Sequence, residues 1–142
     1  MKRRILYVED NPGDVRLVQE AFKDSNVENE IAIATDGVQA TDYLWRKGEF
    51  AGALRPDLIL LDLNLPRKSG REFLTEIKRD KELKSIPVVI LSSSGAAADI
   101  RATYDDHANC YVQKPINYED YTEVIARIDD FWFRTVKIPR KD

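Results

Sequence analysis

The chain has 142 residues, a length typical of one globular domain, and a formal net charge of −3, which argues against a nucleic-acid-binding surface because such surfaces are usually basic. No apolar stretch approaches the roughly 18 residues that a membrane span requires, and the acidic pair at residues 9–10 ends the first hydrophobic run too early for a signal peptide. A single cysteine, Cys110, permits no internal disulfide, which agrees with a reducing compartment. Together these features predict a cytoplasmic protein with neither a membrane nor a nucleic acid as its partner.

Short apolar runs alternate with helical patterns along the whole chain. The runs lie at residues 4–8, 31–34, 58–62, 88–92 and 110–113. Apolar residues at helical spacing predict helices over residues 14–25, 37–48, 70–80 and 97–106, and a fifth helix after Asn117 as its N-cap. Continuous apolar strands are typical of a parallel sheet buried on both faces, and their alternation with helices predicts right-handed βαβ crossovers. An all-helical domain is the less favoured interpretation.

The expected fold is flavodoxin-like: a doubly wound (βα)5 α/β domain whose five-stranded parallel sheet has the order 2-1-3-4-5. Glu9 and Asp10 follow the first strand of that sheet, and Asp62 ends the third. These strands are neighbours in this order, so the three carboxylates should converge beyond the carboxyl ends of the strands. Like charges so close disfavour ionisation unless a cation neutralises them, which predicts a Mg²⁺ site. Taken alone, Glu9 and Asp10 are as compatible with capping the next helix.

Two more polar groups belong to the same predicted edge of the sheet. Ser92 ends the fourth run, and Lys114 follows the fifth. A carboxylate, a metal ion, a hydroxyl and a fixed cation are a set suited to phosphoryl transfer. Asp62 can accept a phosphoryl group as an acyl phosphate, Mg²⁺ and Lys114 can balance the charge on its oxygens, and Ser92 can donate a hydrogen bond to it.

The motif series YVEDN…LLDLNLP…SG…VVILSS…YVQKP resembles the receiver domain of bacterial two-component response regulators and spans nearly the entire chain. The resemblance implies that Asp62 is the phosphorylated aspartate and that Glu9 and Asp10 bind the metal. It also implies that the backbone carbonyl of Asn64 completes the Mg²⁺ shell. Glu9 stands where a second aspartate is common, which lengthens one arm of the metal site without removing it.

The resemblance further implies a conformational switch. Ser92 matches the switch hydroxyl of the family, Tyr111 its switch aromatic and Lys114 its lysine. Phosphorylation would draw Ser92 toward the phosphoryl group and let the Tyr111 ring turn inward, which repacks the surface of the fourth helix, fifth strand and fifth helix. The Lys114–Pro115 peptide bond resembles one that is cis in the family. From composition alone, Tyr111 would be an ordinary half-buried strand aromatic.

Two features refine or depart from the resemblance. His107 stands where the family often has glycine, so we expect a left-handed backbone there at the end of the fourth helix rather than a ligand role. Residues 44–74 and the tail DFWFRTVKIP are similar to the single-domain regulators that pair with bacterial and cyanobacterial phytochrome histidine kinases. That similarity implies a phytochrome-type histidine kinase as the partner.

We expect residues 1–142 to form one receiver domain, with residues 131–142 as an aromatic C-terminal extension. Phe131, Trp132 and Phe133 are consecutive, so a helix cannot turn all three inward, and an exposed apolar patch is typical of a partner site. We therefore expect a homodimer through the fourth-helix, fifth-strand and fifth-helix face, with these three residues and Tyr111 in the interface. The alternative is a tail that folds back on its own domain.

The leading interpretation is a stand-alone signalling module, not an enzyme, that accepts a phosphoryl group from a histidine kinase onto Asp62. Three alternatives remain. A metal-dependent phosphatase usually needs a second carboxylate two residues on, where this chain has Asn64. A flavin-binding module is disfavoured by the acidic first loop, EDNPGD, which would repel a flavin phosphate. A receiver that is never phosphorylated would act by binding alone.

Overall fold

Five parallel strands form one sheet in the order β2-β1-β3-β4-β5 in the computed structural model, which describes residues 2–139. This confirms the predicted flavodoxin-like topology, because each predicted apolar run is a strand of the sheet. The strands are β1 (Arg3–Val8), β2 (Asn29–Ala34), β3 (Leu58–Leu61), β4 (Val88–Ser92) and β5 (Cys110–Gln113).

Helices cover both faces of this sheet. Four of them begin at a polar residue whose side chain accepts the backbone N–H three residues further on: Asn11, Asp36, Ser69 and, as predicted, Asn117. These caps fix where each chain segment turns from the sheet edge into a helix. The helices are α1 (Pro12–Lys23), α2 (Gly37–Leu44), α3 (Gly70–Arg79), α4 (Ala97–Asp105) and α5 (Tyr118–Asp130), with a 3-10 turn at Gly48–Phe50 and a π-helical turn at Phe131–Thr135.

The sheet separates two apolar clusters, because successive strand side chains point to opposite faces. Leu6 and Val8 of β1 belong to the cluster that includes α2 and α3, whereas Ile5 and Tyr7 belong to the cluster that includes α1 and α5. The middle strands β3 and β4 are buried on both faces. The carboxyl ends of the strands are therefore fixed by the core on either side of the sheet.

Three local predictions concern the end of α2, the backbone at His107 and the Lys114–Pro115 bond, and one of them is confirmed. Helix α2 ends at Leu44, short of the predicted 48, because Arg46 already takes a left-handed backbone with φ 57°. His107 has the expected left-handed conformation, with φ 71°. The expectation of a cis Lys114–Pro115 bond is wrong, since no peptide bond between residues 2 and 139 is cis. The trans form is the lower in energy for such a bond, by about 0.5–1 kcal/mol.

The aromatic tail lies partly on its own domain. Phe133 is only 6% exposed and its ring centroid lies 6.5 Å from that of Phe22 in α1, so its assignment to a dimer interface is wrong. Phe131 remains 48% exposed, and Trp132 is half-buried against the same core. Residues 140–142 of the predicted extension lie outside the described part. Within residues 2–139, no helix combines the length and hydrophobicity needed to cross a bilayer.

Candidate functional site: an acidic pocket at the carboxyl edge of the sheet

Backbone hydrogen bonds of the parallel sheet continue for one residue beyond the ends of β1, β3 and β5. These bonds position the polar side chains that follow the strands. The amide of Glu9 donates to Ala34 (2.9 Å), that of Asp62 to Val8 (3.0 Å), and that of Lys114 to Ser92 (2.7 Å). Each of the three amides is thus tied to a buried residue at the carboxyl end of a neighbouring strand. The pocket is held by the fold itself rather than by mobile loops.

Three carboxylates meet in this pocket, as the sequence analysis expected. Glu9, Asp10 and Asp62 each offer an oxygen, and these oxygens lie within 4.8 Å of one another. Glu9 is 1% and Asp62 6% exposed, whereas Asp10 faces solvent. Oxygen donors of this kind, with an open side toward water, suit a hard divalent cation. The donor set therefore fits a divalent metal site.

Lys114 brings a fixed positive charge to these carboxylates. Its Nζ donates to Glu9 and to Asp14 (2.9 Å) and lies 3.6 Å from Oδ2 of Asp62. Burial by itself would lower the pKa of Lys114, but its bonds to Glu9 and Asp14 outweigh burial and raise the pKa above its ordinary value. Lys114 is therefore charged at neutral pH. Sequence reasoning missed Asp14, whose position four residues after Asp10, in the first turn of a helix, was the available signal.

Glu9 is the most constrained of the carboxylates. Burial raises its pKa to about 7, with Asp62 adding to the rise and Lys114 opposing it. Oε1 also accepts a hydrogen bond from the buried Tyr7 hydroxyl (3.2 Å), and Oε2 accepts one from the Asn11 amide (3.3 Å). The role of Tyr7 was missed too, since a tyrosine within an apolar run is indistinguishable from a core residue.

Ser92 is the last residue of β4 and Tyr111 the second residue of β5, and both contact the β4–α4 loop. Ser92 is fully buried and its Oγ accepts the Ser94 amide (3.2 Å). Tyr111 is half-buried against the core, and its hydroxyl donates to the carbonyl of Ser94 (2.8 Å). One loop residue, Ser94, thus contacts both side chains to which a switch role was assigned.

Asn64 is exposed in the loop that leaves β3, two residues beyond Asp62. The start of α3 packs closely against this loop: a Cβ on Gly70 would lie 2.2 Å from the carbonyl oxygen of Asp62. Glycine is required at position 70 for that approach. The tight contact fixes the backbone on which the Asp62 carboxylate stands.

Comparison with known proteins agrees with this geometry. The family described as the response regulator receiver domain matches residues 5–126. Response regulator Rcp1 of Synechocystis sp. is 47% identical over 135 residues, which are 95% of this chain and 92% of that protein. The Mn²⁺-bound form of Rcp1 superposes with a TM-score of 0.94 at 46% identity, covering 97% of this chain and 99% of the other. The phosphorylated cyanobacterial phytochrome response regulator RcpA superposes with a TM-score of 0.96 at 48% identity, covering 99% and 100%.

Proposed function

The chain belongs to the response regulator receiver family, and from this premise we propose that it receives a phosphoryl group on Asp62 from a histidine kinase of the phytochrome type. The observation that carries the proposal is the position of Asp62, whose Oδ2 lies 3.6 Å from a lysine ammonium and whose carboxylate belongs to a three-carboxylate cluster. Similarity to the phytochrome response regulator RcpA supports the pathway.

The chemistry assigned to Asp62 is a displacement at phosphorus. Its carboxylate oxygen forms a bond to the phosphorus of a phosphohistidine while the bond from phosphorus to the imidazole nitrogen breaks, and the electron pair stays on that nitrogen. The Lys114 ammonium stabilises the charge on the transferring oxygens, because it is held next to Asp62 by Glu9 and Asp14. Charge placed in this way needs no rearrangement when the reaction occurs.

We propose that Glu9, Asp10, Asp62 and the Asn64 carbonyl hold Mg²⁺. A bound ion would supply further neutralisation of charge on the phosphoryl oxygens. The oxygen donors and their solvent-facing side support this assignment. A turnover phosphatase is disfavoured because Asn64 is not a carboxylic acid and cannot exchange a proton with a leaving group. We therefore propose that the chain acts as an acceptor and not as an enzyme.

We propose that Ser92 and Tyr111 convey the phosphorylated state to the face of α4, β5 and α5. The support is their shared contact with Ser94: a turn of the Ser92 side chain toward a phosphoryl oxygen would carry its Oγ away from the Ser94 amide that donates to it. A shift of Ser94 would release the Tyr111 hydroxyl, so that the ring could turn. The readout would be the packing of the outer face, which is a local contact change with a distant effect.

Intact-mass spectrometry after incubation with acetyl phosphate tests the phosphoacceptor. We expect one Mg²⁺-dependent phosphoryl adduct on the wild type and none on Asp62→Asn. Asp57→Asn is the matched control, because Asp57 is equally buried but precedes the opposite end of the same strand. An unmodified wild type would refute the acceptor role and favour the alternative in which the chain acts by binding alone.

We also propose a homodimer through the α4, β5 and α5 face. Phe131 and Trp132 supply its apolar surface, because Phe131 is exposed and its ring packs edge-on against Trp132 with centroids 5.3 Å apart. Tyr111 of β5, which packs in the cluster on the other face of the sheet, is the third residue of the proposed interface. Light scattering after size exclusion should show a dimer for the wild type and a monomer for Phe131→Ala. Leu54→Ala, which removes an equally exposed apolar side chain elsewhere, should remain dimeric. A monomeric wild type rejects the proposal.

A further inference from the structure

The loop between β3 and α3 lies against the N-terminus of α2. The Gly37 amide donates to the Lys68 carbonyl (3.2 Å), and a Cβ at position 37 would lie 2.3 Å from that oxygen. Arg67, the residue before Lys68, has a left-handed backbone with φ 62°, a conformation that arginine rarely adopts. The same loop carries Asp62 and Asn64 at its beginning. A specific loop conformation is therefore maintained against a local backbone cost.

The side chains of this loop are also bound to α2. Oδ2 of Asp36 accepts hydrogen bonds from Nε (2.9 Å) and from a terminal nitrogen (2.7 Å) of Arg67, while its Oδ1 caps α2 at the Gln39 amide (2.7 Å). Lys68 makes a second connection, from its Nζ to the hydroxyl of Thr41 (3.0 Å). One buried carboxylate thus joins the helix cap to the loop that leaves the phosphoacceptor strand.

The two functions of Asp36 are separable. An asparagine retains an oxygen that caps a helix about as well as aspartate does, but it lacks the charge that pairs with arginine. Burial alone would raise the pKa of Asp36, but the Gln39 amide and the Arg67 guanidinium outweigh it and hold that pKa below its usual value. The Arg67 side chain is 60% exposed, so its ion pair contributes little to global stability and its main consequence is local.

We propose that Asp36 and Arg67 are positioning residues for metal binding at the phosphorylation site. Their ion pair holds the β3–α3 loop on one side, and Gly70 holds it on the other through its contact with the Asp62 backbone. The loop is thereby kept in the conformation that presents the Asn64 carbonyl and the Asp62 carboxylate to one ion. This inference rests on the proposed function, because it concerns the Mg²⁺ that the acceptor reaction uses.

Titration calorimetry with Mg²⁺ on the full chain provides the test, with the Mg²⁺ concentration for half-maximal phosphorylation by acetyl phosphate as a second measurement. Asp36→Asn and Arg67→Ala should each weaken Mg²⁺ binding by about 10-fold, the effect typical of residues that orient metal ligands. Arg67→Lys should recover part of the loss. The phosphorylation rate at saturating Mg²⁺ should stay close to wild type, since neither residue contacts the reacting atoms. The double variant should bind no more weakly than either single one, because both remove one interaction.

Arg127→Ala is the matched control, since it removes an arginine from an exposed ion pair with Glu123 on α5 (2.7 Å). Its Mg²⁺ affinity should equal that of the wild type. Unchanged Mg²⁺ affinity in Asp36→Asn and Arg67→Ala would overturn the inference. A loss of Mg²⁺-binding free energy matched by an equal loss of unfolding free energy in urea would also overturn it, because such a match marks a merely structural role. If the wild type binds Mg²⁺ but takes no phosphoryl group, the proposed function fails while the calorimetry still decides the positioning role.

Discussion

The acidic pocket should make Asp62 a source of instability in the metal-free protein. In the folded chain its carboxylate lies within 4.8 Å of oxygens of Glu9 and Asp10 and 3.6 Å from the Lys114 ammonium. Above pH 7, where Glu9 is mainly ionised, and at an effective dielectric constant of about 20, each repulsion amounts to at least about 3.5 kcal/mol and the attraction to about 4.6 kcal/mol. Water screens the repulsion between Asp62 and the exposed Asp10. The cost of burying the ionised Asp62 carboxylate, however, adds to the destabilisation that the repulsions cause. Asp62→Asn should therefore stabilise the metal-free chain by about 1–2 kcal/mol.

Urea unfolding followed by circular dichroism measures this difference, once with EDTA and once with excess Mg²⁺. In EDTA the unfolding midpoint of Asp62→Asn should exceed that of the wild type. Mg²⁺ at 100 times its dissociation constant would stabilise the wild type by about 2.7 kcal/mol, and the variant by less, because it has lost one anionic ligand. The advantage of the variant should therefore shrink or reverse with Mg²⁺.

A matched control separates this charge effect from ordinary packing. Asp57→Asn replaces another buried aspartate, which accepts the Arg4 amide (2.9 Å) at the opposite end of the sheet. It should show the wild-type gain in stability with Mg²⁺. The electrostatic reasoning is refuted if Asp62→Asn is less stable than the wild type in EDTA, or if Mg²⁺ stabilises both proteins equally.

Three further predictions concern other parts of the fold. Tyr7→Phe, which removes a buried donor to Glu9, should cost about 1 kcal/mol in urea unfolding and weaken Mg²⁺ binding in calorimetry, whereas unchanged values would show the hydrogen bond to be dispensable. Phe133→Ala should cost about 3 kcal/mol by leaving a cavity beside α1, and Phe131→Ala less than about 1 kcal/mol; equal losses would contradict the buried position of Phe133. Because the pKa of Asp36 is held below its ordinary value, its ionised form adds a small stabilisation above about pH 4, less than about 1 kcal/mol because Arg67 is largely exposed. The small deficit of Asp36→Asn in urea unfolding should be lost as the pH falls further through the lowered pKa, and a deficit independent of pH would contradict the ion pair.

The sheet and the main site residues were predictable because they depend on patterns that are local in the chain. Runs of buried β-branched and leucine residues mark strands, and parallel strands end at a common edge, so the ends of the runs alone predict that Asp62 and Lys114 share one pocket. The first residue of a helix was equally predictable where the N-cap has a polar side chain, as at Asn117. Local pattern and global topology agree in this part of the molecule.

The rest of the site depends on contacts between distant segments, which no local pattern reports. Asp36 and Arg67 are 31 residues apart, and each alone reads as an ordinary surface charge. Which of three consecutive aromatic residues would be buried was also undecided, because the π-helical turn at Phe131–Thr135 changes the angle between successive side chains. Only the packed structure shows that Phe133 is the one that reaches Phe22 in α1.

The two buried carboxylates of the pocket, Glu9 and Asp62, differ in their hydrogen bonds, and the difference agrees with the roles proposed for them. Glu9 accepts bonds from the Tyr7 hydroxyl, the Asn11 amide and the Lys114 ammonium, so both of its oxygens are fixed. The contact of Asp62 with Lys114 is longer, at 3.6 Å, and acts through charge rather than through a short hydrogen bond. A lone pair that is engaged in a short hydrogen bond is a weaker nucleophile toward phosphorus. In the proposed reaction, the same lysine would therefore immobilise Glu9 as a metal ligand and leave an oxygen of Asp62 free to form the bond to phosphorus.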